Sequence, residues 1–342
     1  MNRRAWLVAL AAFTASPLAA AQFTPTPAPA PAPAQPYPAY GTPPVAPAPM
    51  SYPGYGSQRR SGSEIGVLYV TAAAYGVGVG VWFGAELGID DPGLFLIPPA
   101  VLGIAAPAGV YFADQPDMRR GLPAAIAAGA VIGAGEGIGI ASLQFVSADE
   151  DDAWGFRGLS RATAIGATLG GGAGLALGLL QRPSPKSSLL MTSGVAWGSA
   201  IGAMFGYGAS EGGVGYGLAN DSAALGGLIG YNVGLAATGA LSAVYIPSYT
   251  SVTWMWAGAG IGFAASLPVY LFYAGDGGPP AKRGLVFSGT ATTLGIAAGA
   301  LFSSGSSDSA SSSDAPSFAR VTTVAPLAAP GSLGLSVGGE LL

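Results

Sequence analysis

The chain has 342 residues, 50% of them apolar and only 9% charged, with 56 glycines and a formal net charge of −4. Soluble domains carry about 25% charged residues, so this chain has too little polar side chain to cover a globule in water, and it is too apolar for a disordered one. The charge gives no basic footprint for nucleic acid. Without cysteine or histidine there are no disulfides, no cysteine for a lipid anchor and none of the usual ligands of zinc, copper or haem, so no cofactor is expected.

Residues 1–21 read as a secretory signal peptide: Arg3 and Arg4, an apolar run from Ala5 to Ala15, then Pro17 and the small-residue site Ala19-Ala20-Ala21 before Gln22. Residues 22–62 are rich in proline and alanine. Repeated prolines remove amide donors and favour an extended polyproline II spacer, so this stretch is expected to be a disordered tether. From 63 to 303 apolar segments alternate with short polar breaks. Eight segments, roughly 64–88, 93–113, 120–143, 157–180, 187–209, 222–244, 251–274 and 284–303, are each long enough as a helix to cross a hydrocarbon core of about 30 Å. Starts near 63, 118, 186 and 249 give four units of two segments, a repeat of helical hairpins. Residues 304–342 form a Ser-rich tail expected to be mostly disordered.

Within the segments glycine recurs every fourth residue. The rows are Gly76, Gly80, Gly84 and Gly88; Gly129, Gly133 and Gly137; Gly158, Ala162, Gly166, Gly170, Gly174 and Gly178; Gly194, Gly198, Gly202 and Gly206; Gly226, Gly230 and Gly234; and Gly258, Gly262 and Ser266. Residues four apart share one helix face, and a flat glycine face lets a neighbouring backbone approach. In lipid, where the hydrophobic effect does not drive helices together, such small-residue rows supply the packing. Gly198→Leu or Gly202→Leu is therefore expected to cost far more than Val195→Leu. The expected fold is an all-α membrane protein of about eight glycine-zipper helices in hairpin-like repeats. The alternative is an outer-membrane β-barrel, because a spacing of four also keeps one strand face and Gly76–Val81 and Gly133–Ile140 alternate. Most segments are apolar in both registers and rich in alanine, which favours helix.

In an eight-span chain with a cleaved signal, the N-terminal side carries Arg59, Arg60, Arg119, Arg120, Arg182 and Lys186. The other side carries Arg157, Arg161, Lys282 and Arg283 beside Asp149-Glu150-Asp151-Asp152. The excess of cations runs opposite to the bias of an inner-membrane protein, which leaves inner and outer membrane open. The acidic run lacks the alternating ligand spacing of a calcium loop and reads as a solvated turn.

Chemistry-bearing motifs are sparse. Gly208-Ala209-Ser210-Glu211-Gly212 matches G-x-S-x-G, but that motif needs a strand-turn-helix setting and a histidine base, and the chain has no histidine. No phosphate-binding G-x-x-x-x-G-K-[ST] occurs, and no catalytic residue is expected. Glu136 is the one acidic residue well inside a segment, a position that marks an ion path unless the side chain reaches headgroups. With the segment ending near 143, reach to headgroups is the expectation. Asn232, among the glycines of the sixth segment, is expected to bond between helices. Trp82, Trp254 and Trp256 with Tyr69, Tyr111, Tyr207 and Tyr245 fit interfacial anchoring, whereas Trp197 lies mid-segment.

The stretch Ser193-Gly194-Val195-Ala196-Trp197-Gly198-Ser199-Ala200-Ile201-Gly202 resembles the glycine-zipper segments of bacterial envelope proteins, and the chain over 64–303 is similar to Ala/Gly-rich exported proteins of that kind. The resemblance implies an envelope location and close packing, with the bilayer as partner and self-association or other envelope proteins as further contacts. It carries no residue-level function. The expected role is structural or scaffolding, with a channel or transporter, or a barrel pore, as the alternatives.

Overall fold

The computed structural model describes residues 59–149, 151–181, 183–211, 221–273, 279–303, 319–329 and 332–341. The expected signal peptide, most of the tether, Glu150 and Arg182 lie outside them, as do most of the Ser-rich stretch after 303 and residues 212–220 and 274–278. All eight apolar segments are helical: α1 Gly62–Glu86, α2 Ile97–Ala113, α3 Leu122–Ser147, α4 Gly155–Leu180, α5 Pro185–Ala209, α6 Asp221–Val244, α7 Tyr249–Ser266 and α8 Gly284–Phe302. One helical turn, Pro92–Phe95, leads into α2. The 3-10 turns Leu267–Tyr273 and Ala281–Arg283 extend α7 and precede α8. With these extensions, eight helices among the described residues are long and apolar enough to cross a membrane. The glycine alternations that suggested strands, Gly76–Val81 and Gly133–Ile140, lie inside α1 and α3.

Local sequence sets the helix ends. Ser61, Ser184 and Ser248 cap α1, α5 and α7, each hydroxyl accepting from the amide three residues on. Gly88, the last glycine of the first row, is no packing residue. It follows the end of α1 at φ +63°, and the N–H groups of Gly88 and Ile89 return to the carbonyls of Ala85 and Gly84, closing the helix in a Schellman motif. Gly121 opens α3 at φ +84°.

Successive helices pair as hairpins: α1 with α2, α3 with α4, α5 with α6 and α7 with α8. The hairpins stand in a row. The first meets the second through α1 against α3 and α4, the second meets the third through α3 against α5 and α6, and the third meets the fourth through α5 against α7 and α8. Large buried apolar side chains gather at these junctions, Ile65 and Leu68 against Ala127 at the first and Leu190, Trp197, Val252 and Met255 at the third. Elsewhere the interior is mostly glycine, alanine and serine, with a few larger residues such as Leu122, Val195 and Tyr231. The large aliphatic residues point outward, among them Val70, Leu169, Ile229, Val233, Ile261 and Leu294.

In the C-terminal tail, expected to be mostly disordered, Ala319–Ala329 (β1) and Ser332–Leu341 (β2) pair antiparallel, with Ala319 opposite Leu341 and Ala329 opposite Ser332. A bulge between Val321 and Thr323 interrupts the ladder.

Candidate functional site

The glycine rows face one another inside the hairpins. A Cβ on Gly133 would overlap the carbonyl oxygen of Gly166 and come within 2.9 Å of the Gly170 Cα, and one on Gly166 would overlap the carbonyl of Gly133. Gly129 and Gly170 face each other in the same way, Gly137 meets Ala162, Gly174 meets Ala125, and Gly178 meets the side chain of Leu122. In α5 and α6 the reciprocal pairs are Gly198 with Gly230 and Gly202 with Gly226. Gly206 meets Ser222, Gly234 meets the carbonyl of Gly194, and Gly194 itself abuts Thr238. Each step of four residues along one helix is matched by a step of four back along its partner, so the axes stay in contact over three or more turns. The recurring direction of the missing Cβ, toward a carbonyl oxygen, is that of an interhelical Cα–H···O contact.

The first and last hairpins close differently. Gly76 and Gly80 of α1 lie against Leu102 and Pro99 of α2, and a Cβ on Gly84 would come within 3.0 Å of the Phe95 ring. In the fourth hairpin Gly258 faces Gly295, Gly262 faces Ala291, and Gly299 meets the carbonyl of Trp254. Gly295 and Gly299, not singled out in the sequence, complete that seam. Their signal was a short row, Ala291, Gly295 and Gly299, hidden among serines and threonines.

Ionic groups collect at the two ends of the row. At the end where α1, α3, α5 and α7 begin, the Arg60 guanidinium grips the buried Asp114 carboxylate, its Nε 2.7 and 2.8 Å from the two oxygens. Met118 N–H donates to Asp114, and Gly121 N–H donates at 2.7 Å to the buried Glu64. Burial pushes the Asp114 carboxyl up, but the Arg60 and Met118 hydrogen bonds and the Arg60 charge outweigh it and hold it below its ordinary value. At the opposite end Arg161 of α4 pairs with Glu86 of α1, with Nε–O 2.7 Å and Nη2–O 2.9 Å, and Glu86 also accepts from Trp82 Nε1 at 2.9 Å. Arg157 donates to the Ala85 carbonyl at 3.1 Å.

Glu136 is not near a helix end. Because α3 continues to Ser147, Glu136 lies three turns from its C-terminus, about 16 Å along the axis, and farther from its start. The segment, expected to end near 143, thus continues to Ser147. Asn232 bonds between helices: its Nδ2 lies 3.1 Å from both Glu136 carboxylate oxygens and 3.1 Å from the Leu228 carbonyl. Beside it the buried Tyr231 donates its hydroxyl to the Ile132 carbonyl and fills the space over Gly135. Glu136 also lines a cavity of about 570 Å³ between α3 and α4, which runs from Gly170 and Leu169 to Trp154, Arg157 and Arg161.

Ser210 of the G-x-S-x-G match ends α5 and has a basic neighbour, Lys282 Nζ at 3.1 Å. The Ser210 hydroxyl donates to the Tyr207 carbonyl and accepts from the ammonium, the reverse of an activated nucleophile. A cation at a helix C-terminus is the favourable dipole arrangement, which accounts for Lys282. Of the mid-helix aromatics, Trp197 is buried against Trp256, ring centroids 5.3 Å apart, and Trp256 donates to Ser193 Oγ. Among the described residues no group of three acidic side chains is placed to hold a metal ion. The site that the structure does assemble is thus a polar pair on an otherwise apolar array of eight span-length helices. No protein family, curated protein or solved structure matches the chain.

Proposed function

We propose that the chain is an integral membrane protein of the cell envelope, exported by its N-terminal signal, whose four glycine-seamed hairpins serve a structural or scaffolding role. The observation that carries this reading is the inversion of side-chain size. Small residues fill the interior while leucine, isoleucine, valine and phenylalanine cover the outside, with Leu169 at 69% and Phe112 at 73% exposure. In water such an apolar surface would associate, and glycines within helices would each cost about 1 kcal/mol relative to alanine. In lipid the backbone hydrogen bonds must stay within each helix, and close backbone approach is what holds helices together. Charged groups at both ends, one of them bonded to Trp82, with 25 residues of α1 between Gly62 and Glu86, suit the depth of a bilayer.

Membrane fractionation tests the reading. The mature protein is expected to stay in the pellet after alkaline carbonate washing and to give a helical far-ultraviolet circular dichroism spectrum when extracted from that pellet. Release into the carbonate supernatant would contradict it. A second reading, a channel or transporter, is favoured by the Glu136–Asn232 pair.

A further inference from the structure

We propose that Glu136, paired with Asn232 at mid-span and lining the groove that also holds Arg157 and Arg161, is an intramembrane proton-exchange site. The proposal rests on the membrane reading above. Three observations meet at this residue. Its depth along α3 places a carboxyl group in the hydrocarbon layer, where the bare anion is costly and is neutralised by a bound proton or cation. It is only half-buried, and it lies in the open groove between α3 and α4 that also holds Arg157 and Arg161 at the start of α4. Its partner suits either protonation state: the Asn232 amide donates to the carboxylate, and a half-turn of that amide presents Oδ1 to accept from the carboxylic acid.

A proton fits better than a metal ion. Glu136 is the one carboxylate at this depth, Asn232 turns its donor toward it, and the Tyr231 hydroxyl is committed to the Ile132 carbonyl, so the oxygen cage a metal needs is not assembled here. The other ionisable groups on the packed elements include Asp221 at the start of α6, Tyr207 near the end of α5 and Tyr69 in the first half of α1. On α4, Arg161 is held by Glu86 of α1, and Arg157 reaches the Ala85 carbonyl; on α6 there is Tyr231. On α1, Tyr75 bonds Thr168 and Glu64 sits at the far end, as does Lys186 of α5. None of the cations neutralises Glu136.

Dicyclohexylcarbodiimide, an apolar reagent, tests this on the full chain in its membrane. The O–H of a protonated carboxyl adds across the carbodiimide C=N, and the acyl group then migrates to nitrogen, so the whole reagent is retained as added mass. Peptide mass spectrometry is expected to find the adduct on Glu136, with less of it at higher pH. Glu136→Gln should remove that adduct while the helical spectrum is kept. An absent or pH-independent adduct on Glu136 would overturn the proton site alone. Equal labelling by a water-soluble carbodiimide would overturn the membrane reading and the site together.

Discussion

Gly133→Ala is expected to destabilise the protein, although alanine is the better helix former. The new methyl falls on the Gly166 carbonyl and against Gly170, both backbone, so the α3–α4 seam must open. Overpacking of this kind costs about 1–3 kcal/mol, more than the ~1 kcal/mol that alanine gains in helix propensity, and the Cα–H···O contact is lost as well. Gly133→Leu is expected to separate the hairpin altogether. The control is Gly172, on the same α4 but with open space where its Cβ would be: Gly172→Ala should be neutral or stabilising. Val195, which the sequence offered as a tolerant comparison, is buried at 4% exposure, so Val195→Leu overpacks too and does not serve. Thermal melts in detergent decide the matter, and equal shifts at Gly133 and Gly172 would mean that the seam is not a contact.

Arg60→Ala should have the second large effect. Asp114 closes α2, is 6% exposed, and depends on Arg60 for its counter-charge. Removing the guanidinium strands a buried carboxylate at a cost of about 3–5 kcal/mol. The Arg60→Ala, Asp114→Asn double variant should recover part of that loss, because no uncompensated charge remains. The same pair sets a pH dependence. The folded-state carboxyl of Asp114 is depressed below the ordinary aspartate value of about 3.9, so its contribution is complete above that pH. It is lost as pH falls through the lower folded-state value. Melts across this acid range should show a component in the wild type that Asp114→Asn lacks. The same acid loss in both proteins would remove Asp114 from the account.

Hydropathy and segment length made the eight helices legible, because the apolar runs are bounded by charges or by helix-stop and capping residues that the structure also uses, Gly88 and Ser184 among them. The glycine spacing disclosed which face of α3 through α7 is a seam, since a row of missing side chains has no other use at that density. It did not disclose the partner of α1, because α2 offers Pro98-Pro99 and Leu102-Gly103, a flat surface written in different residues. Nor could local sequence join Glu136 to Asn232, 96 positions away, or Arg60 to Asp114, 54 positions away. Those pairings follow from which hairpin stands beside which, a property of the whole row. The end of α3 was not legible either: the apolar run fades near 143, and the helix continues one further turn through Leu143-Gln144-Phe145-Val146-Ser147.

The central claim is that the eight helices cross a bilayer in alternation, and the chain's lack of cysteine makes this directly measurable. Single cysteines at the exposed positions Gln181 and Tyr245 probe one end of the row, and those at Asp90, Asp151 and Glu211 probe the other. Labelling with a membrane-impermeant maleimide should reach one set from outside intact membranes. The other set should react only after the membrane is opened. Equal labelling of both sets in intact membranes would contradict a spanning array.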